Sequence, residues 1–192
     1  MIPVMIVPIL VGPETLCRMI STVDERIDHL VIIDNGCVVD DSVSRAAYEC
    51  ADRMSVIRMP ANLGVAGSWN LGIKASPFAP WWLIANYDVE WPSGALQAFH
   101  EQSGSGILLA DGPQPWSAFS LCQETVQRVG LFDEGFHPAY FEDNDYELRS
   151  MIEGVEITRS EIQIVHHNSS TLKYYGERNN VTYASNADYM QE

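Results

Sequence analysis

Residues 130–154 are the stretch best equipped for acid–base chemistry, because they place seven carboxylates among aromatic and apolar residues. Carboxylates held against a core are costly unless cations or a substrate compensate their charge. A helical pattern begins at Glu142, and Asp145 and Arg149 are spaced as an i,i+4 ion pair. Since the N-terminus of a helix stabilises negative charge, we expect Glu142 and Asp143 to be ionised at neutral pH and suited to general-base chemistry.

The helical spacing also predicts which of these acidic side chains faces inward. Phe141, Leu148 and Ile152 recur every three to four residues and predict the buried face of the helix. Asp145 falls on that same face, so we predict that it makes a structural bond. Glu142 and Asp143 remain, and because successive helical residues turn by about 100 degrees, only one of the two can point straight at a given ligand atom.

Two simpler interpretations of the acidic residues exist. Any single one of them can be an ordinary cap at a helix start. A calcium loop of the EF-hand type is a second alternative, but the segment lacks the Asp-x-Asp-x-Asp-Gly frame and the closing glutamate at the required spacing. The cluster as a whole therefore favours a ligand site.

Composition limits the classes of function. The chain has 192 residues and 46% apolar content, which is enough for one domain with a sizeable core. It carries 11 Lys and Arg against 26 Asp and Glu, a formal charge of −15. Such a field repels nucleic acid and anionic membrane surfaces, so we expect no bulk nucleic-acid binding and a metal or local amides wherever an anionic substrate binds.

The cysteines and the N-terminal residues predict the cellular setting. The four cysteines include no Cys-x-x-Cys pair and predict reduced, buried thiols, for which a cytoplasmic protein is the default. The apolar start MIPVMIVPIL lacks a basic region, contains two prolines and is too short to span a bilayer. We interpret it as a buried first strand, and expect no transmembrane segment.

The first half of the chain alternates short apolar runs with helical patterns, which predicts an α/β protein with a mostly parallel central sheet and helices on both faces. The predicted strands are VMIVPIL, HLVIIDNG, SVIRMP, WWLIANYD and GILLADG, and the predicted helices lie near 13–23, 41–53, 66–75 and 92–102. Ligands bind at the carboxyl ends of such strands. The polar residues there are Asp34, Asn35, Asn62, Asn86 and Asp88, and we expect them to share one crevice.

The second half follows an α+β pattern. PWSAFSLC and EITRSEIQIVHH are predicted strands, and QETVQRVG is a predicted short helix between them. We assign residues 1–172 to one domain. Residues 173–192 form a polar, weakly patterned tail, interpreted as a lid or an arm.

The loop of residues 62–72, NLGVAGSWNLG, is the second informative motif. Its glycines let backbone come close to a ligand, and the helix that follows offers free amides. It resembles a dinucleotide fingerprint only loosely, because Asn62 occupies the first position and the loop follows the third strand rather than the first. Packing and capping of a helix is the structural alternative for these glycines.

Two further motifs lie at strand ends. Asn86 and Asp88 are two residues apart, so in an extended chain both can face one ligand, although such a pair is also common in turns. His166 and His167 end an apolar strand and must point to opposite faces, so only one can enter the site directly. A histidine beside convergent carboxylates is a natural metal ligand.

Together these motifs resemble the family 2 glycosyltransferases of the GT-A fold, and most closely their rhamnosyltransferase-like branch. The resemblance runs through most of the chain. Its matching motifs are Asp34-Asn35-Gly36; Asn62, Gly64, Ala66, Gly67, Asn70 and Gly72; Asn86-Tyr87-Asp88-Val89; Gly130 with Phe132-Asp133-Glu134; Phe141-Glu142-Asp143-Asn144-Asp145 with Arg149; and the closing His166-His167 and Ser170-Thr171.

The resemblance implies an inverting, metal-dependent transfer of a sugar from a UDP- or dTDP-sugar to an acceptor hydroxyl. It divides the domain into a nucleotide-sugar half, 1–110, and an acceptor and catalytic half, 111–172. The residues it implies are Asp143 with Glu142 for catalysis; Pro8, Asp34, Asn35, Asn62, Gly64, Gly67, Asn70, Asn86 and Tyr87 for the donor; Asp88, His166 and His167 for the metal; and Trp116 and Tyr140 for the acceptor. Mixed oxygen and imidazole ligands suit Mn²⁺ better than Mg²⁺.

The sequence departs from the family pattern at two points. The first strand continues from Pro8 through apolar residues only, without the usual polar residue, and the first position of the metal motif is Asn86 rather than Asp. Two rival interpretations stay open. A nucleotidyltransferase of related fold would favour a basic residue in the glycine loop, which has none before Lys74. A catalytically silent nucleotide- or sugar-binding module is the other.

Overall fold

The computed structural model describes residues 1–167 and 178–191 of the chain. The strands are β1 Ile2–Ile9, β2 Ile27–Asp34, β3 Ala51–Arg58, β4 Trp81–Ala85, β5 Val89–Glu90, β6 Ile107–Leu109, β7 Ala118–Cys122, β8 Ile157–Arg159 and β9 Val165–His166. The helices are α1 Pro13–Ser21, α2 Asp41–Cys50, α3 Gly64–Ala75, α4 Ala95–Gln102, α5 Gln123–Val129, α6 Glu142–Ile152 and α7 Arg178–Tyr189, with a 3₁₀ helix at Pro115–Ser117.

Within the described residues, the main sheet has seven strands in the order β3-β2-β1-β4-β7-β6-β8. The neighbours β3, β2, β1 and β4 are mutually parallel, β7 runs antiparallel to β4 and β6, and β8 is parallel to β6. A separate antiparallel pair joins β5 and β9. The predicted α/β architecture with a mostly parallel sheet is therefore confirmed.

The sheet is buried on both faces because successive side chains of its strands alternate between two cores. In β1, Met5 and Val7 contribute to one core, whereas Val4 and Ile6 contribute to the other. The second core lies under α3, where Gly72 packs against β1. A Cβ atom added at Gly72 would lie 2.4 Å from Ile6 Cγ2, so the close approach of this helix depends on a missing side chain.

The helix boundaries follow local chemistry. Pro13 begins α1, where its missing N–H is not needed. Asp40 caps α2 by accepting hydrogen bonds from the backbone N–H groups of Ser42 and Val43 at 2.8 and 3.3 Å. Gly130, at φ 87°, ends α5.

Three details of the second half differ from the sequence prediction. PWSAFSLC begins as the 3₁₀ helix and becomes β7 only at Ala118. The long predicted strand EITRSEIQIVHH is broken into β8 and β9, which belong to different sheets. The predicted polar tail contains α7, while Ser170, Thr171 and the boundary at 172/173 lie outside the described residues.

The predicted buried face of α6 was wrong. Leu148 and Ile152 are 49% and 73% exposed, whereas Glu142, Tyr146 and Ser150 are buried. The helix turns this other face inward because Tyr146 stacks on Phe132 with ring centroids 4.0 Å apart, in the aromatic part of the second core.

The thiol prediction held only in part. All four cysteines are free, as expected, but Cys122 alone is buried and Cys37 is exposed. In the part of the chain that the structure describes, no helix combines the length and the apolar character needed to cross a bilayer.

Gly64, the first residue of α3, packs against the segment that precedes α6. Its φ is +74°, and a Cβ atom there would lie 2.8 Å from Pro138 O and 3.0 Å from a ring atom of His137. The next residue, Val65, donates its N–H to Pro138 O at 2.8 Å. The glycine is therefore required by backbone conformation and by protein packing, and its predicted contact with a donor stays a prediction.

We predict that Gly64→Ala destabilises the fold by about 2–4 kcal/mol, since it adds both positive-φ strain and a steric overlap. Gly94→Ala is the matched control, because Gly94 has φ +82° and nothing within 4 Å of its Cβ position. It should cost only about 1 kcal/mol. Urea unfolding of the two variants measures the difference, and equal losses would show that Pro138 adds no constraint.

Candidate active site

The carboxyl end of β2 is built from two buried side chains. Asp34 is fully buried and accepts hydrogen bonds from the N–H groups of Val38 and Val39 at 2.9 and 3.0 Å. Asn35 donates to Ser68 Oγ at 2.8 Å and accepts from the N–H of Leu63 at 3.0 Å. Asn35 thus ties β2 to the start of α3, and its predicted contact with the sugar donor stays a prediction.

The loop before α3 is held in the same manner. Asn62 accepts from the N–H of Gly64 at 2.9 Å through its side chain, and its carbonyl lies 3.1 Å from His137 Nε2. At Gly67, an added Cβ atom would lie 3.3 Å from Leu63 Cβ and 3.8 Å from Glu134 Oε2. The loop therefore adjoins residues 130–154, here called the acidic segment, as well as the sheet edge.

Asn70 makes the strongest connection between α3 and the acidic segment. It is 1% exposed, and its amide donates to Phe132 O at 2.9 Å and to Glu134 Oε1 at 2.8 Å. Its side-chain oxygen accepts from the N–H of Phe132 at 2.9 Å. With all its groups engaged inside the protein, Asn70 positions residues 132–134, and the structure gives it no open face toward a donor.

Asp88 and His166 form a pair at the end of β4. His166 Nε2 lies 3.1 Å from Asp88 Oδ1 and 3.5 Å from Asn86 Nδ2, so Asn86 and Asp88 face the same side, as predicted. They do so from a turn, in which the Val89 N–H donates to Asn86 O at 3.2 Å, and not from an extended strand. His166 Nδ1 lies 3.0 Å from Ser117 Oγ. Tyr87, between the two, turns the other way and is 6% exposed in the first core.

The two histidines have separate partners. His167 Nε2 lies 2.8 Å from Glu90 Oε1, away from Asp88, while its backbone N–H donates to Asp88 O at 3.1 Å. The prediction that they face opposite sides of the strand is confirmed. The geometry brings His166, and not His167, beside the Asp88 carboxylate.

The hydrogen bonds around Ser117 determine the state of His166. Ser117 Oγ donates to Gln114 O at 2.7 Å, so toward His166 it accepts, and His166 Nδ1 carries the proton. In a neutral imidazole, Nε2 then directs a lone pair at the oxygen of Asp88, which also holds only lone pairs. A proton or a metal cation between them resolves this conflict, and a histidine whose other nitrogen donates outward is typical of metal ligation.

Asp88 and His166 are the two side chains on which a metal site would depend. Among residues 1–167 and 178–191 there is no group of three or more His, Cys, Asp or Glu that could hold an ion. Two protein ligands agree with the way Mn²⁺ and Mg²⁺ are commonly bound, since substrate phosphates and water complete their coordination. The residues therefore fit a metal that arrives with a phosphorylated ligand.

Glu142 occupies a buried position at the start of α6. It is 6% exposed, and its Oε2 atom has no hydrogen-bond partner among the described residues. Burial, reinforced by the charge of Asp143, raises the pKa of Glu142 to about 8. The expectation that Glu142 is ionised at neutral pH was wrong, because loss of water outweighs the favourable end of the helix.

Asp143 and Asp145 have different surroundings. Burial raises the pKa of Asp143 above its usual value, and the nearby charge of Glu147 acts in the same direction. Asp143 nevertheless stays partly exposed. Asp145 pairs with Arg149, whose Nε and Nη2 lie 2.9 and 2.6 Å from its Oδ2, which confirms the predicted structural bond.

The 3₁₀ helix connects the two parts of the site. Ser117 contacts His166, and Trp116 beside it donates to Glu147 Oε2 on α6 at 3.3 Å. Trp116 is 7% exposed and packs edge-on against Phe119 at 4.7 Å. The ring is enclosed in the second core, and its predicted contact with an acceptor stays a prediction.

The remaining predicted residues lie around the edge. Pro8 is half-buried in β1, in register with Ile33 of β2. Tyr140 is half-buried just before α6 with φ 81°, and its ring contacts Tyr183 of α7 at 5.6 Å between centroids. Sequence reasoning missed Ser117, since one serine at the start of an apolar strand carries no signal of its position beneath a histidine.

Comparison with known proteins found no matching family model. A curated "Galactofuranosyl glycosyltransferase" of Leishmania donovani is 33% identical over 88 residues, which are 45% of this chain and 20% of that protein.

Solved structures resemble most of this chain's architecture. Mannosyltransferase PcManGT from Pyrobaculum calidifontis, in complex with GDP-Man and Mn²⁺, superposes with a TM-score of 0.63 at 14% identity over 82% of this chain and 54% of that one. TarS 1-349 of S. aureus in complex with UDP gives a TM-score of 0.65 at 13% identity over 85% of this chain and 60% of that one. This chain thus spans little more than half of either solved chain, and it has their GT-A-like α/β fold.

Proposed function

We propose that this protein is an inverting glycosyltransferase that moves a sugar from a UDP- or dTDP-sugar to an acceptor hydroxyl. We place it with the family 2 enzymes, nearest the rhamnosyltransferase-like branch, on the order and spacing of its motifs. The observation that carries the proposal is the Asp88 and His166 pair, 3.1 Å apart, which the 3₁₀ helix joins to Glu147 of α6, the helix that Glu142 and Asp143 begin.

The donor would bind along the carboxyl edges of β1, β2 and β4, as ligands do in sheets of this kind. Asp34 holds the turn after β2, and Asn35 and Asn62 hold the loop before α3. In this proposal these residues shape the nucleotide pocket chiefly by fixing backbone, so the direct contacts come from exposed main-chain groups of the two loops.

Asp88 and His166 would hold Mn²⁺, or Mg²⁺, together with the diphosphate of the donor. When bound, the ion supplies positive charge for the leaving diphosphate, which a protein with a net charge of −15 otherwise lacks. Ser117 orients the imidazole by accepting its Nδ1 proton in a hydrogen bond. Asn86, whose amide lies 3.5 Å from Nε2, borders the same position.

The transfer itself needs one proton acceptor. The acceptor oxygen forms a bond to the anomeric carbon, the bond from that carbon to the diphosphate oxygen breaks with its electron pair leaving on the diphosphate, and the hydroxyl proton passes to Asp143. Attack on the face opposite the leaving group inverts the anomeric configuration. Glu142 is unsuited to this task, since a carboxyl with a pKa of about 8 is largely protonated at neutral pH.

Asp143→Asn tests the base. The amide keeps the shape of the side chain but accepts no proton, so transfer or slow donor hydrolysis should fall by about 10²- to 10⁴-fold. The affinities for Mn²⁺ and nucleotide, measured by calorimetry, should stay within about twofold of wild type. Removal of a general base slows the chemical step and leaves ground-state binding unchanged. Near-normal turnover would remove Asp143 from the mechanism.

Asp88→Asn is the matched variant for the metal. It should weaken nucleotide binding in the presence of Mn²⁺, while chelation of the metal should weaken the wild type to the same level. If neither the Asp88→Asn substitution nor chelation of the metal changes nucleotide affinity, the assigned metal site is contradicted. Tight binding without turnover in wild type, across a panel of donors, would instead favour a silent binding module.

The buried state of Glu142 predicts an unusual dependence of stability on pH. Its pKa is about 8 in the folded protein against 4.5 for an ordinary glutamate, so between these values the folded state holds a proton that the unfolded state has lost. Stability is therefore lost as pH rises from about 4.5 to about 8. Glu142→Gln removes this loss and should stabilise the protein by about 2–4 kcal/mol at pH 9 but little at pH 5.

Urea unfolding at the two pH values measures this effect. Glu153→Gln is the control, because Glu153 is exposed just beyond the end of α6. If the Glu142→Gln variant and wild type differ in free energy of unfolding by the same amount at both pH values, Glu142 ionises normally in the folded protein.

A further inference from the structure

The C-terminal helix α7 packs on the residues that lead into α6. Asn186 is 4% exposed and donates from its side-chain amide to Ala139 O at 2.7 Å and to Tyr140 O at 3.2 Å. Tyr189 donates its hydroxyl to Asp133 Oδ2 at 3.0 Å. A buried amide that bonds two successive carbonyls fixes the direction of that backbone more closely than apolar contact does.

Aromatic rings reinforce these hydrogen bonds. Tyr189 meets Phe136 with centroids 4.9 Å apart, and Tyr183 meets Phe141 at 5.0 Å. A Cβ atom added at Gly135 would lie 2.6 Å from the hydroxyl of Tyr189, so the backbone there approaches the helix closely. Contacts of α7 thus extend along residues 133–141. This segment leads directly into α6, which carries the candidate base Asp143 in its first turn.

The bonded residues form a strained turn. Tyr140 and Phe141 have φ values of 81° and 73°, in the left-handed region that non-glycine residues rarely adopt. Two such residues in succession persist only when surrounding contacts hold them, and strain of this kind concentrates at functional sites. Phe141 is the N-cap of α6, so the turn sets the direction in which Glu142 and Asp143 leave the backbone.

We propose that Asn186 is a positioning residue of the active site, and that α7 contributes to the site by holding the turn before α6. By bonding the carbonyls of Ala139 and Tyr140, Asn186 holds the strained turn and thereby aims Asp143 at the acceptor hydroxyl. The inference rests on the proposed glycosyltransferase function for its catalytic consequence, but the holding of the turn is measurable without any turnover.

The test compares three variants of the full chain. Asn186→Ala removes the amide, and Asn186→Asp keeps its shape but replaces the donor with oxygen that faces two carbonyl oxygens. Ser185→Ala is the control, because Ser185 is the exposed neighbour on the same helix. Hydrogen exchange followed by mass spectrometry reports on the turn, and calorimetry and initial rates report on donor binding and turnover.

We expect the peptide that covers residues 139–145 to exchange about tenfold faster in both Asn186 variants, the change that follows from losing about one hydrogen bond. Peptides of β1 and α3 should exchange as in wild type. The rate of transfer or donor hydrolysis should fall by about 10- to 100-fold, as for a misplaced catalytic group, with donor affinity unchanged. Ser185→Ala should match wild type in every measurement.

Unchanged exchange of residues 139–145 in the Asn186 variants overturns this inference, as does an equal effect of Ser185→Ala. Faster exchange with full turnover also overturns it, because the turn would then be held without consequence for Asp143. A wild-type protein that turns over no donor counts against the proposed function instead, and that result is visible before any variant is compared.

Discussion

Attachment of the acidic segment to α3 determines where the catalytic carboxylates of the proposed mechanism lie. Asn70, almost fully buried, bonds both the N–H and the carbonyl of Phe132, and Gly64 admits Pro138 where any side chain would collide. Between these two attachments the chain has little freedom, so residues 133–141 reach α6 from one direction. α3 is itself fixed on the sheet, because Gly72 packs directly against Ile6. The position of the α6 N-terminus therefore depends on a helix that contributes no catalytic side chain.

An acidic protein has to compensate each buried carboxylate, and this structure does so in different ways. Backbone N–H groups surround Asp34, Arg149 pairs with Asp145, and His166 faces Asp88. Glu142 has no such partner in the described chain, and burial raises its pKa instead. The Asp88 pair differs from the first two because the hydrogen bonds of Ser117 turn an unprotonated Nε2 toward the carboxylate when the imidazole is neutral. In our account, the metal that accompanies the donor supplies positive charge at this pair.

Much of this arrangement was predictable from the sequence because it depends on strand and helix periodicity. Alternating apolar runs predicted the sheet. Asn86 and Asp88 do share one side, but they do so in a turn closed by the hydrogen bond from the Val89 N–H to Asn86 O, not in the extended chain that was expected. The buried face of α6 was not predictable, because it depends on the stacking of Tyr146 on Phe132. Phe132 lies outside the helix, so the spacing of residues within α6 does not encode this contact. The same holds for α7, whose polar sequence gives no helical stripe and whose Asn186 acquires meaning only from the turn it meets. Tertiary contacts, rather than local propensity, decided these elements.

The stereochemistry of the product tests the central claim most directly, namely that Asp143 serves one displacement on the face opposite the leaving diphosphate. The protein is incubated with Mn²⁺ and a panel of UDP- and dTDP-sugars of known anomeric configuration, with water or an added alcohol as acceptor. Proton NMR of the first product formed, before mutarotation, shows the configuration at its anomeric carbon. Our account predicts inversion, a β product from an α-linked donor. Retained configuration would contradict it, because a double displacement requires a nucleophile on the enzyme that this mechanism does not contain.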